Sequence, residues 1–263
     1  MISLQFASLC AALLLVSACD HSGAGAVERK AAWGYAGAQY DLGMRYLEGS
    51  GVTRNYVRAE RWLREAAAQE HTGAQYALAR LYEQGALAPD GFGIQQDAEE
   101  AALWYRKAAA QGLAPAQARL ARMYSDGFGA PNDYAAAAKW YEEAARQGNS
   151  DAMYALGILS RSGIAGNADD AQAARWFQRA SENGSVLARL ELAQAYAEGR
   201  GVEKNAVHAY VWASSASDAG AVDAAATLEG ILQSMTQEQR AEAERLVREH
   251  QTGTVHPEPK APS

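Results

Sequence analysis

The sequence predicts an all-α fold, a right-handed superhelical solenoid of five helix-turn-helix repeats closed by N- and C-terminal capping helices. Two observations predict this fold. Tryptophans recur at a nearly constant spacing, and a second pattern of small and aromatic residues recurs upstream of each of them. A single helical hairpin cannot bury its apolar face until neighbouring hairpins stack on it, so a repeat of this length is typical of a solenoid.

The first pattern sets the register of the second helix in each repeat, helix B. Five of the six tryptophans, separated by 42, 36, 36 and 36 residues, are Trp62, Trp104, Trp140, Trp176 and Trp212. An alanine lies three residues before each tryptophan, and an Asn or Asp lies four residues before that alanine. We interpret the Asn or Asp as the helix N-cap, because its side-chain oxygen can accept from an unpaired backbone N–H. The predicted caps are Asn55, Asp97, Asp133, Asp169 and Asn205. We expect the five indole rings to be buried in the core.

The second pattern predicts the first helix of each repeat, helix A. In the first repeat it consists of Ala38, Leu42, Gly43 and Tyr46, followed by Gly49. Spacings of four, one and three place these residues on one face of a helix. The small residue allows a neighbouring helix to approach closely, and the glycine ends the helix in a turn with positive φ.

Together the motifs resemble the Sel-one-like repeat family, solenoid relatives of the tetratricopeptide repeats. The shared motifs are Ala-x3-Leu-Gly-x2-Tyr-x2-Gly-x-Gly-Val, an Asn or Asp, Ala-x2-Trp and a closing Ala-x-x-Gly. The resemblance implies five repeats, at 36–71, 72–113, 114–149, 150–185 and 186–221. The departures are local: Ser160 replaces a tyrosine, Ala165 and Glu70 replace glycines, and the second repeat has six extra residues within 85–93.

The segments flanking the repeats have different compositions. We assign 19–26 to a flexible tether, 27–251 to the solenoid with 222–251 as its C-terminal cap, and 252–263 to a disordered tail. Val27 to Tyr35 is interpreted as half a repeat that caps the N-terminal end. In the C-terminal cap, the motif Thr-x-x-Gln at 236–239 predicts a capping box that opens the last helix.

Residues 1–18 are predicted to form a signal peptide, because their apolar run is shorter than the roughly 20 residues that a spanning helix needs. The segment Val16-Ser17-Ala18-Cys19 resembles a bacterial lipobox, in which the cysteine thiol is acylated and becomes the mature N-terminus. Ordinary secretion with cleavage near Ala18 is the alternative. The lipobox implies a lipoprotein that faces the periplasm, and Asp20 favours the inner membrane over the outer.

Composition argues against several classes of function. The formal net charge is −7, from 24 basic and 31 acidic residues, and no basic stripe is present to neutralise phosphates, which argues against nucleic-acid binding. The five histidines are scattered, whereas a zinc site needs three or four convergent ligands. No nucleophile accompanies a base. We therefore predict a protein that is not an enzyme and uses no metal or cofactor.

The candidate binding surface lies on helix A, opposite the predicted core. Residues two and six positions after the repeat alanine include Tyr40, Met44, Tyr76, Arg80, Arg122, Tyr154 and Ile158. The equivalent arc of the related tetratricopeptide hairpins lines a concave groove that receives peptides. Tyr and Arg dominate interface energetics, which favours a partner surface. The alternative is that some of these tyrosines cover the helix of the next repeat.

These observations predict a periplasmic scaffold or adaptor, tethered to the membrane by lipid at Cys19. It would hold one or more protein partners in its groove, and these could be components of the cell envelope. A first alternative is binding of peptidoglycan or an exported polysaccharide. A second is a hydrolase, which the resemblance permits in a cysteine-rich branch claimed to act on β-lactams. This chain has only two cysteines, Cys10 and Cys19, both at its N-terminal end.

Overall fold

The computed structural model describes residues 23–87 and 93–251 of the 263-residue chain. These residues form thirteen helices and one short hairpin, so the all-α prediction is confirmed. The hairpin consists of β1 (Ala86–Leu87) and β2 (Gly93–Ile94), which pair antiparallel. It lies in the insertion of the second repeat, where the sequence analysis predicted no strand.

Two compact units divide the fold between Asp97 and Ala98. The helices of the first unit are α1 (Gly23–Ala32), α2 (Ala36–Glu48), α3 (Tyr56–Ala68) and α4 (Thr72–Gln84). Those of the second are α5 (Ala98–Ala110), α6 (Ala114–Asp126), α7 (Tyr134–Arg146), α8 (Ser150–Ser162), α9 (Asp170–Glu182), α10 (Val186–Glu198), α11 (Ala206–Asp218), α12 (Ala224–Ser234) and α13 (Gln237–Gln251). Within each unit a helix packs mainly against the helices before and after it in the sequence.

The predicted N-caps of helix B are confirmed at four positions. The side-chain oxygen of Asn55 accepts from Arg58 N at 2.8 Å. Asp133, Asp169 and Asn205 accept in the same way from the backbone three residues later. Asp97 directly precedes α5, and its backbone N–H donates to the carbonyl of Tyr82 at 2.9 Å. Local side-chain chemistry therefore fixes where helix B begins in these four repeats.

In each helix B, the residue buried in the core of every repeat is the one after the tryptophan, not the tryptophan itself. Only Trp104 and Trp212 are buried, while the other three tryptophans of the register are half-buried, so the expectation of five buried indoles is wrong at Trp62, Trp140 and Trp176. The residues that follow the tryptophans are all buried: Leu63, Tyr105, Tyr141, Phe177 and Ala213. The reason is helical geometry. The buried stripe runs from the repeat alanine through positions four and seven residues later, and the tryptophan, three residues later, lies at its edge.

The small residue of helix A permits close contact with helix B, as predicted. A Cβ atom added to Gly43 would lie 2.8 Å from Leu63 Cγ, and one added to Gly157 would lie 2.4 Å from Phe177 Cε1. Real Cβ atoms do not approach carbon atoms this closely, so the paired helices need glycine at these two points. The large core residue of helix B thus fills the space that the small residue of helix A leaves.

In the first three repeats a buried glutamine joins helix A to the helix before it, a feature that the sequence analysis missed. Gln39, Gln75 and Gln117 follow the repeat alanine directly and are 4%, 3% and 4% exposed. Each Nε2 donates to the carbonyl eight residues earlier, at 3.2 to 3.3 Å. These carbonyls belong to the last turn of the preceding helix, and each already accepts from the backbone N–H three residues later, at 2.9 to 3.1 Å. The amide therefore adds a second hydrogen bond to a helix end that the turn has already capped, and ties that end to the next helix A.

The second turn glycine of helix A contacts the preceding repeat. A Cβ atom on Gly129 would lie 2.0 Å from the carbonyl oxygen of Ala98, and one on Gly201 would lie 2.0 Å from that of Asp170. Both contacts fall on the first residue of the helix B one repeat earlier. Gly51 occupies the equivalent position in the first repeat, but a Cβ atom added to it would have no atom within 4 Å. The glycine is thus a stacking contact between repeats as well as a turn residue.

The terminal segments agree only in part with the sequence analysis. Helix α1 begins at Gly23, so the prediction of a flexible tether over 19–26 is wrong for residues 23–26. Alanine favours the helix most strongly, which lets α1 extend into this Gly-Ala segment. At the other end Thr236 and Gln239 exchange the two predicted capping-box bonds, at 2.9 and 3.3 Å.

The signal peptide (1–18), Cys19, Asp20, the tail (252–263) and residues 88–92 of the insertion lie outside the described residues. Of the helices that the structure describes, none has the length and apolar character needed to span a membrane.

Candidate partner-binding surfaces

The first candidate surface, here called the Tyr76 surface, consists of Tyr40 and Met44 on α2 with Tyr76 and Arg80 on α4. The first three side chains are half-buried, whereas Arg80 is exposed. The Tyr40 ring stacks on His71 with centroids 4.7 Å apart. His71 is the N-cap of α4, so Tyr40 covers the start of the next repeat. Tyr40 therefore fits the alternative interpretation, in which the tyrosine covers the helix of the next repeat. The exposed part of this surface is centred on α4.

In a separate polar cluster of the first unit, the side chains form hydrogen bonds with one another. The hydroxyl of Tyr82 donates to Glu60 Oε1 at 2.7 Å, Arg64 Nε donates to the same oxygen at 2.9 Å, and Arg64 also donates to the tyrosine oxygen. Burial, with the hydrogen bond to Glu60 next, raises the pKa of Tyr82 to about 12. Because these charges satisfy one another across α3 and α4, we do not count them as part of a binding surface.

The second candidate surface, the Tyr154 surface, consists of Arg122 on α6 with Tyr154 and Ile158 on α8. Arg122 Nε forms an exposed ion pair with Asp126 Oδ2 at 3.2 Å. Ile158 is half-buried and packs against the hydrophobic core of this unit. The hydroxyl of Tyr154 donates to Glu191 Oε1 at 3.5 Å, and its ring centroid lies 5.8 Å from that of Phe177. Tyr154 therefore also contacts the next repeat.

Two residues that the sequence analysis did not single out complete this surface. Arg161 donates to both carboxylate oxygens of Glu191, and the two side chains are 30% and 15% exposed. The guanidinium also lies 5.6 Å from the Phe177 ring centroid. Burial, with the charge of Glu191 next, raises the pKa of Tyr154. The three polar side chains form one satisfied cluster across neighbouring repeats, which holds the Tyr154 ring in place.

A groove of about 600 Å³ lies beside Trp140 in the second unit. Its walls include alanines of α5 and α7, among them Ala110 and Ala136, and its charged lining residues include Lys139 and Glu143. One repeat later, Arg146 and Gln172 occupy the positions of those two alanines. The groove is therefore lined by short side chains at positions where the next repeat has longer ones, and the half-buried indole forms part of its wall.

The described residues show no arrangement typical of a metal site. Within 23–87 and 93–251, no group of three or more His, Cys, Asp or Glu side chains is arranged to hold a metal ion. The side chains of His71 and Asn149 instead cap helix A in their repeats, each accepting from a backbone N–H three residues later.

The repeat architecture matches a known family. A family model described as the Sel1 repeat matches residues 36–71, 72–113, 114–149, 150–185 and 186–220. The chain belongs to the Sel1 repeat family. The predicted family resemblance is therefore confirmed.

Solved structures of other Sel1 repeat proteins share the fold. A protective antigen of uropathogenic Escherichia coli strains that displays an SLR fold is 30% identical, with a TM-score of 0.76 over 85% of this chain and 47% of that one. The chain thus spans about half of that antigen. A Sel1 repeat protein from Oxalobacter formigenes is 30% identical, with a TM-score of 0.69 over 80% of this chain and 84% of its own. No curated protein sequence matches the chain. These neighbours confirm the predicted solenoid class.

The regular spacing of the Sel1 repeats explains which surface residues could be identified from the sequence. Positions two and six after the repeat alanine recur in every repeat, so their residues can be read from the sequence without a structure. Arg161 and Glu191 lie at different register positions, 30 residues apart, and pair only once the repeats are stacked. The sequence shows only that one helix A contains an arginine and the next contains a glutamate. Such combinations are too common to identify this ion pair.

Proposed function

We propose that this Sel1 repeat protein is a non-enzymatic scaffold that binds a protein partner through the Tyr76 surface. Proteins of this family are typically scaffolds for protein interaction, which supports the general class. The observation that carries the specific proposal is the pairing, one helical turn apart on α4, of the half-buried Tyr76 with the exposed Arg80. Tyrosine and arginine are the residue types most enriched among side chains that dominate binding energy.

The Tyr154 surface is the weaker candidate for the main contact. Its arginine, Arg122, is already paired with Asp126. A partner would have to break or share this ion pair, which offsets part of what it gains. We therefore assign the principal anchor to α4.

Truncation of both α4 side chains tests the proposal. We expect the Tyr76→Ala, Arg80→Ala double variant to lose partner capture from solubilised envelope by about 30-fold for each side chain removed, or up to about 900-fold for both, since each hot-spot side chain contributes on the order of 2 kcal/mol. Circular dichroism and thermal melting, measured on the same preparations, should stay close to the wild type. The matched control is Arg175→Ala, which removes an exposed arginine on α9 and should keep full capture.

Two results would count against this assignment. If both side chains serve packing, the double variant would melt early and lose capture only in proportion to its unfolded fraction. If the double variant stays folded and captures its partner at full strength, the Tyr76 surface is not the contact.

The groove beside Trp140 favours a second candidate function, binding of peptidoglycan or an exported polysaccharide. An indole wall with polar groups at its edge suits the apolar face and hydroxyl groups of a sugar ring. The same capture experiment separates the two candidates. Material that is retained after protease digestion of the extract, and is lost in Trp140→Ala but not in the α4 double variant, would support the polysaccharide and contradict a protein partner.

We further propose that the scaffold is held at the periplasmic face of a bacterial membrane by acylation of Cys19. The lipobox-like segment ending at this cysteine supports the proposal, and Asp20 favours the inner membrane. Two or three acyl chains give stable attachment, because each buried methylene contributes about 0.8 kcal/mol. Metabolic labelling with a fatty-acid analogue should mark the wild type but not Cys19→Ala, and the variant should leave the membrane fraction. An unlabelled wild-type protein would refute the anchor.

A further inference from the structure

The turn between α1 and α2 exposes two large aromatic side chains. Trp33 is 66% exposed and Tyr35 is 61% exposed. The other five tryptophans are buried or half-buried, so Trp33 differs from every tryptophan in the repeat register. A solvent-exposed tryptophan beside a solvent-exposed tyrosine is typical of a contact site and not of a folded interior.

Trp33 also differs from the residues that occupy the same turn position in later repeats. In four of the five following repeats this turn position is occupied by a polar residue, for example Gln69 or Gln147. The amide of each of these donates to the buried glutamine of a helix A, at 2.6 and 2.8 Å. Trp33 replaces such a polar residue and does not pack into the interior. Its indole is therefore available to a contact outside the repeat array.

Cationic side chains lie next to the aromatic pair. Arg29 and Lys30 are exposed in the last turn of α1, beside the exposed Glu28. The N–H of Trp33 donates to the carbonyl of Arg29 at 3.0 Å, so Trp33 follows that arginine by one helical turn. The N–H of Tyr35 donates to the carbonyl of Lys30 at 3.2 Å, across the turn that ends α1. Cations and amphipathic aromatics thus lie within one short segment, residues 29–35, at the edge of the first unit where α1 ends.

We propose that this edge, formed by Arg29, Lys30, Trp33 and Tyr35, rests on the membrane surface. Tryptophan and tyrosine are the residues that concentrate at the membrane interface, where the ring lies in an apolar layer and its polar group in a wet one. The two cations would face the phosphates of anionic lipids. The inference rests on the proposed acylation of Cys19, which would confine this part of the chain to the lipid surface.

Chain length permits this contact. The four residues from Cys19 to Gly23 span at most about 14 Å when fully extended, and ten helical residues add about 15 Å. The aromatic turn is therefore within about 30 Å of the acylated cysteine, and an α1 that lies along the membrane brings it to the headgroups. The acyl chains hold the protein at the membrane, and the aromatic turn would fix which face of the first unit is presented to it.

Depth-dependent fluorescence quenching tests the inference. The full acylated chain is reconstituted in vesicles of phosphatidylcholine and phosphatidylglycerol that carry bromine near the headgroup end of the acyl chains. We expect part of the tryptophan emission of the wild type to be quenched, and that quenched component to be lost in Trp33→Phe. Trp140→Phe, which alters a tryptophan of the second unit, should keep the component.

The possible failures are distinguishable. If the mass of the reconstituted chain includes the acyl groups but bromine does not quench Trp33, the anchor stands and this inference is wrong. If the mass lacks the acyl groups, both are wrong. Emission from Trp33 that changes with protein concentration and not with bromine would mean that the edge contacts a second copy of the chain, which also overturns the proposal. None of these outcomes depends on partner capture by α4.

Discussion

Replacement of Phe177 by alanine is expected to lower the free energy of unfolding by about 3 to 5 kcal/mol. The side chain is 2% exposed on α9 and lies directly against Gly157 of α8. Because that glycine has no side chain, it cannot fill the space that the ring leaves. The ring also supports Tyr154 and Arg161, so the cavity would loosen the Tyr154 surface.

The neighbouring tryptophan provides the matched comparison. Trp176 is the more conspicuous residue in the sequence, but it is half-buried and its ring contacts Arg179, whose guanidinium carbon lies 4.5 Å from the ring centroid. We expect Trp176→Ala to cost clearly less than Phe177→Ala in urea denaturation, although it removes more atoms. Equal losses, or a larger loss for Trp176→Ala, would show that the core is centred on the tryptophan after all.

A second large effect is expected from Gly201→Ala. This glycine has a φ of 69°, and its added Cβ would lie within 2.2 Å of the carbonyl carbon and oxygen of Asp170. The left-handed backbone alone costs about 1 to 2 kcal/mol for a residue with a side chain. Overlap with a main-chain carbonyl adds about 1 to 3 kcal/mol, because the backbone of α9 has to shift. The expected loss of stability is about 2 to 5 kcal/mol in total.

Gly51→Ala is the matched control, because it measures the cost of the left-handed backbone without a steric overlap. Gly51 occupies the same register in the first repeat with a φ of 74°, but an added Cβ would meet no atom within 4 Å. We expect only the conformational cost of about 1 to 2 kcal/mol from this substitution. Hydrogen exchange on both variants should show that Gly201→Ala also weakens protection in α9, one repeat away. If the two substitutions cost the same, the turn glycine does not carry a stacking contact.

The features that sequence predicted best are those fixed by local chemistry. The Asn and Asp caps, the turn glycines and the Thr236 capping box each act on a backbone group within a few residues, so a short motif is enough to identify them. Their repetition at intervals of 36 residues, and once of 42, then revealed the repeats. For the same reason α1 was mistaken for a tether in part, because Gly and Ala leave no local motif to mark where that helix begins.

The features that sequence missed depend on stacking between elements. Tryptophan is the most recognisable residue of the motif, but its place at the edge of the buried stripe becomes visible only when the two helices are packed. The amide of Gln117 has a clear role only beside the carbonyl of Ala109, at the end of the preceding helix. The binding role of the Tyr76 surface stays a prediction, because the register that selects its residues also places Tyr40 against the next repeat.

The buried glutamines give the array a direction. In each of the three pairs, the carbonyl belongs to the earlier helix and the amide that binds it arrives eight residues later. The same carbonyl already accepts from the turn N–H three residues later, so it is paired before the next helix A forms. During synthesis from the N-terminus, the glutamine therefore adds its bond across the junction only when that next helix is in place. A unit that is removed or added after this glutamine keeps the bond across the junction. A cut before the glutamine loses that bond, while the turn still caps the helix end.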